Sequence, residues 1–126
     1  MNTAKIFITL GCVNAMFAVI LGAFGAHALK SRLAENMLAV YHTGVQYHLY
    51  HALGLIVAGL IIMQTAPIVW FKSAGWLMFA GIIFFSGSLY LLSITQLRWL
   101  GMITPIGGMA FIIAWGLMFT GIIKSS

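Results

Sequence analysis

The side chains able to do chemistry in this 126-residue sequence are few, and the histidines come first. His48 and His51 are three positions apart, a spacing that puts both imidazoles on one face of a helix. His27 closes an earlier apolar run. Three neutral imidazoles drawn together could ligate a divalent metal, and one from each of two helices could hold a haem axially. Neutral imidazoles serve equally as hydrogen-bonding residues that join helix ends to one another and to the interface. The spacing is specific to neither ligand, so no metal set and no cofactor is assigned.

Gln46, Tyr47 and Tyr50 surround the histidines. Further on, Ser86 and Ser88 flank Gly87, Tyr90 follows, and Thr104 precedes Pro105 in a position suited to capping a helix. Serine hydroxyls in a helix bond back to their own backbone. A serine hydrolase would need a nucleophile elbow with a base and its orienter, and that pattern does not occur here. Glu35 is the sole carboxylate, which excludes every mechanism that needs two acids and any multi-acid metal cage. Cys12 stands alone inside an apolar run, so neither an intramolecular disulfide nor a Cys-rich metal site is available. No catalytic residue follows from these patterns, and a non-enzyme is expected.

The elements that must position these side chains are set by composition. Hydrophobic residues make up 63% of the chain and charged residues 6%, against about 25% charged in an ordinary globular domain. So few charges cannot cover a water-facing surface, and the solvent must be lipid. The net charge of +5 does not point to nucleic acid, because Lys5, Lys30, Arg32, Lys72, Arg98 and Lys124 are scattered between apolar runs rather than clustered. They are placed as anchors for phospholipid headgroups. The run from Ile6 to Gly25 exceeds the roughly 7–15 residues of a signal-peptide core, and reads as a retained helix.

Crossing a hydrocarbon core of about 30 Å takes about 20 residues. Four segments satisfy that length: 6–27, 44–63, 71–95 and 100–123. The expected fold is all-α: one domain over 1–126, an integral membrane four-helix antiparallel bundle. The residues between the first two spans hold Lys30, Arg32 and Glu35, with Leu33, Met37, Leu38 and Tyr41 spaced for one apolar face. That pattern predicts a short amphipathic segment lying in the interface. The links 64–70, with Pro67, and 96–99 are short, which makes successive helices antiparallel neighbours. Lysines and arginines divide equally between the two faces, and the N-terminal amine tips the termini toward the cytoplasm.

Such a bundle brings His27, His48, His51, Ser86, Ser88, Tyr90 and Thr104 to the side of the first link, as a one-sided polar pocket with Gln46 and Tyr47. The strictly apolar stretch from Ala52 to Met63 is too short to span, so the second helix draws its histidines inward. Counted from Gly44, they lie roughly 6 to 10 Å inside its end. Ionisable groups at such depth are functional candidates by default. In the first helix Gly11, Ala15, Ala18, Gly22 and Ala26 form a small-residue groove for helix packing, and Asn14, mid-span, must face protein and hydrogen-bond between helices.

Four strings are distinctive in order: Gly-Ala-Phe-Gly-Ala-His-Ala-Leu at 22–29, Thr-Gly-Val-Gln-Tyr-His-Leu-Tyr-His-Ala-Leu-Gly-Leu at 43–55, Phe-Ser-Gly-Ser-Leu-Tyr at 85–90, and Thr-Pro-Ile-Gly-Gly at 104–108. Together the chain resembles the family of small bacterial inner-membrane proteins that includes YgdD and YwdK, which has a eukaryotic transmembrane relative. The likeness covers essentially the whole chain. It implies four helices and the bacterial inner membrane, and carries no activity, substrate or cofactor. One departure is Ala114 before Trp115, where relatives have Gly.

The expected function is a non-enzymatic accessory or lipid-contacting subunit of the inner membrane. Its partners would be membrane lipids, and a second copy or a larger membrane complex. A haem- or quinone-binding anchor subunit of a respiratory complex is the first alternative, and a small channel or transporter the second.

Overall fold

Each of the four apolar segments forms a helix long and apolar enough to cross the bilayer in the computed structural model, which describes residues 1–66 and 68–125. They are α1 (Thr3–Leu29), α2 (Glu35–Ile62), α3 (Val69–Thr95) and α4 (Arg98–Lys124). Among the described residues there is no strand. Pro67, expected to mark the second link, lies outside the described residues.

Local chemistry sets the helix ends. Asn2 caps α1 by accepting the Lys5 backbone N–H at 2.9 Å. The turn between α3 and α4 is tight because Gln96 adopts a left-handed conformation, φ 61°, after which Arg98–Met102 forms a 3₁₀ turn. Thr104 does not cap α4 as its position predicted. It is already the first residue of the regular helix, with Pro105 at the helix start, and its hydroxyl is engaged elsewhere. Two helices carry a π-helical turn, Gly25–Leu29 at the end of α1 and Ile82–Ser86 within α3.

The first link differs from expectation. No amphipathic segment lies separately in the interface: α2 begins at Glu35 and runs 28 residues without a break, so residues 35–43 are its first turns. Nothing in that stretch breaks a helix, and Glu35 places its carboxylate at the positive end of the helix dipole. The apolar periodicity that looked interfacial serves packing: Tyr41 is buried against α1, where its hydroxyl donates to the Leu21 carbonyl at 2.5 Å. Gly44, expected to begin the span, is where the Tyr90 and Leu89 side chains of α3 rest.

α2 is the hub. It packs along α1 and against α3, while α4 lies along α3. Close approach to α1 depends on small residues: a Cβ on Gly11 would sit 2.7 Å from the Ala52 carbonyl oxygen, and one on Gly59 2.8 Å from that of Ala4. Ala18 is buried, Ala15 is partly buried and Gly22 faces Val45. The groove then departs from the expected line. Gly25 packs on the Tyr41 ring and Ala26 is exposed, a rotation that accompanies the π turn. The apolar core sits in the half of the bundle away from the first link, around Phe7, Leu55, Phe71, Met78 and Phe111.

Candidate functional site

The earlier start of α2 changes where its histidines lie. His48 and His51 are 13 and 16 residues beyond Glu35, about 20 and 24 Å along a helix of about 42 Å. They occupy the middle of the helix, because the nine residues 35–43 ahead of Gly44 belong to the same helix. Both are buried, at 5% and 4% exposure. A polar group at that depth needs a protein partner for every strong donor and acceptor.

Both have such partners. The Asn14 amide donates from Nδ2 to the Leu10 carbonyl at 2.8 Å, which fixes Oδ1 as the end facing His48. His48 Nε2 lies 2.9 Å from that Oδ1 and Nδ1 lies 2.8 Å from the Tyr90 hydroxyl. An amide oxygen only accepts, so Nε2 carries the proton and Nδ1 accepts from the phenol. His48 therefore ties α1, α2 and α3 in one chain of donors.

His51 is wired in the opposite sense. Its Nδ1 is 2.8 Å from the Tyr47 carbonyl and must donate, while Nε2 accepts from the Trp115 indole N–H at 2.9 Å. The imidazole also lies flat on Phe111, with centroids 3.5 Å apart and planes 7° from parallel. Two histidines one turn apart thus join α2 to all three other helices, as neutral rings in opposite tautomers.

That saturation bears on metal and haem. Neither histidine presents a free ring nitrogen, His27 is exposed, and among the described residues no three His, Cys, Asp or Glu side chains gather. The residues do not fit a metal ion or an axially ligated haem.

The remaining predicted positions divide. Ser88 bonds both the Phe85 carbonyl, at 2.9 Å, and the Thr104 hydroxyl, at 2.6 Å, linking α3 to α4. Ser86 is fully buried, and its hydroxyl has no hydrogen-bond partner among the described residues. His27 and Gln46 are not brought into the cluster, because each is exposed. His27 is two residues from buried Gly25, and Gln46 two from both buried Gly44 and His48; two residues turn a helix by about 200°, onto the far face.

Tyr47 turns toward α3 and α4, its ring centroid 4.7 Å from that of Phe85 and 6.3 Å from that of Phe111. With Tyr50, His51, Phe85, Gly108, Phe111, Ile112 and Trp115 it lines a cleft of about 590 Å³. The size is that of a small-molecule pocket. Tyr47, Tyr50, Ile112 and Trp115 are exposed, so the cleft opens on the side of the bundle, among mid-helix residues. The Tyr47 and Tyr50 hydroxyls make no hydrogen bond among the described residues. Phe85, Phe111 and Trp115 were not foreseen as site residues. A mid-span indole N–H requires an acceptor, and that requirement could have paired Trp115 with a histidine.

A family model described as "Protein of unknown function (DUF423)" matches residues 21–108. The UPF0382 membrane protein YwdK of Bacillus subtilis is 55% identical over 120 residues, 95% of this chain and 98% of that protein. A UPF0382 membrane protein of Staphylococcus epidermidis is 51% identical over 95% of this chain and 97% of its own, and one of Staphylococcus saprophyticus is 50% identical over 95% and 98%. No solved structure matches the chain. With the motifs at 22–29, 43–55 and 85–90 and that of 104–108 inside the matched region, the chain belongs to the DUF423 family and is an integral membrane protein whose relatives are uncharacterised.

Proposed function

We propose that the protein holds a lipid-soluble molecule in the cleft between α2 and α4 and catalyses no reaction, acting as an accessory subunit in the bacterial inner membrane. The observation that carries this reading is the cleft: a mid-depth opening about 590 Å³ in volume, walled by aromatic rings and facing the acyl chains. The histidines support it as braces, His51 holding Trp115 and Phe111 in place from α2. The non-enzymatic reading is favoured by engaged imidazole nitrogens, a single exposed carboxylate at a helix start, and serines with no base beside them.

The orientation we assign puts the Lys5, Lys72 and Lys124 face of the bundle on the cytoplasmic side. Membrane lipids, and the helices of a second copy or a larger complex, are the partners this surface suits. Gly116, exposed on the outer face of α4 with no atom near its Cβ position, leaves room for a close neighbour.

Native mass spectrometry of the protein in mild detergent tests the cleft. Gly108→Leu adds a branched side chain to its lining, with room for the new Cβ, which would meet only the Phe85 ring, at 3.6 Å. The wild type is expected to retain a lipid-soluble adduct that the variant loses. Equal adducts in both proteins, or none in the wild type, would overturn the proposal.

A further inference from the structure

We infer that the molecule held in the cleft is a quinone: a flat, neutral ring with two carbonyl oxygens and a hydrocarbon tail. The inference rests on the cleft being a binding site and adds what binds there. Its first support is the pair of phenol hydroxyls. Tyr47 and Tyr50 are exposed and stand side by side, ring centroids 5.7 Å apart, and neither hydroxyl makes a hydrogen bond among the described residues, where the histidines take the Tyr90 hydroxyl and the Tyr47 carbonyl instead. With both rings exposed, each phenol is free to donate to a ligand with acceptor oxygens. The Trp115 N–H, already given to His51, adds no third donor.

Ring orientation gives the second support. Tyr47, His51 and Phe111 lie with their planes nearly aligned: 14° between Tyr47 and His51, 21° between Tyr47 and Phe111, 7° between His51 and Phe111. His51 and Phe111 cover each other's faces, so the exposed Tyr47 ring, nearly parallel beside them, is the one on which another flat ring stacks with offset. Bent acyl chains gain nothing from that alignment.

Charge and depth narrow the choice further. No Lys, Arg, Asp or Glu lines the cleft, so a phosphate or carboxylate has no counter-charge. A quaternary ammonium would find aromatic faces but no anion, at a depth where an unpaired charge is strongly disfavoured. Phospholipid ester carbonyls have the right acceptors in the wrong place: they lie near the edge of the core, about 15 Å from its middle, whereas the cleft is built from mid-helix residues. A quinone ring carries its carbonyls into the bilayer centre, and exposed Ile112 marks where its tail passes into lipid.

The test uses purified protein in mild detergent, with ubiquinone carrying one isoprene unit and menaquinone carrying two as probes, read by quenching of tryptophan fluorescence. Saturable quenching is expected, about tenfold or more weaker in Tyr47→Phe/Tyr50→Phe, which keeps both rings and removes only the hydroxyls. Gly108→Leu should abolish it, and geraniol, a ring-free isoprenoid alcohol, should not compete. Because the hydroxyls have no intramolecular partner, the double variant should melt with the wild type. Equal affinity in wild type and double variant would overturn the inference. Adducts retained in native mass spectrometry without saturable quinone binding would sink the quinone and leave the cleft standing, and absence of both would sink the two together.

Discussion

Replacing His48 by leucine is expected to destabilise the bundle by about 2–4 kcal/mol. The substitution breaks both imidazole bonds, and interhelical bonds within membranes average about 0.6 kcal/mol with a maximum near 1.7. It also strands the Asn14 amide oxygen and the Tyr90 hydroxyl, each adding about 1–3 kcal/mol if left unpaired. Tyr90→Phe breaks only one of these bonds and should cost about 1 kcal/mol. Unfolding in mixed micelles with rising SDS, followed by far-ultraviolet circular dichroism, measures the difference. A His48→Leu protein as stable as wild type would mean that the links across α1, α2 and α3 carry no weight.

Gly107→Val should be at least as damaging, about 3 kcal/mol or more. A Cβ at Gly107 would lie 2.7 Å from the backbone carbonyl carbon of Phe84 and 2.7 Å from the Phe85 Cβ. The obstacle is mainly backbone, which has no rotamer to yield, so α3 and α4 must part where Ser88 and Thr104 join them. Overpacking of a tight core costs about 1–3 kcal/mol and occasionally more, and a parted helix pair belongs at the upper end. Gly116→Ala, with open space at the Cβ position, should leave stability unchanged or raise it by up to about 1 kcal/mol through helix propensity. The same SDS titration compares the two. A tolerated Gly107→Val would contradict the close α3–α4 contact.

Both substitutions fall in motifs that stood out in the sequence, and they show how much of the molecule was legible there. Length and composition were enough for four helices, because a hydrocarbon solvent permits few other ways to satisfy the backbone. The boundary of α2 was not legible: residues 35–43 are amphipathic, and a helix lying in the interface has the same period as one packed on a neighbour. That ambiguity placed the start of the helix about 13 Å too late, the length of nine helical residues. Asn14 was expected to reach across to another helix, and the atom it reaches is His48 Nε2. Its partner could not be named without helix rotations, which short links leave undetermined. The same uncertainty admitted His27 and Gln46 to a pocket they face away from, and hid Trp115 and Phe111, which look like ordinary lipid-facing aromatics until α4 is turned toward α2.

A consequence for the cleft follows from the bracing. His51 holds the wall from α2, and the Ser88–Thr104 bond closes the α3–α4 corner beside it. A site that must admit a flat ring from the bilayer without solvent access needs walls fixed by buried bonds rather than by charge, and neutral histidines supply such bonds.

Nitrogen NMR on protein labelled in its imidazole rings reads these braces directly, because protonated and unprotonated ring nitrogens resonate far apart. His48 should show a protonated Nε2 and an unprotonated Nδ1, and His51 the reverse, with neither spectrum altered by added zinc. Identical tautomers at the two positions, or a ring nitrogen that shifts on metal addition, would contradict the assignment of these histidines as saturated links between helices.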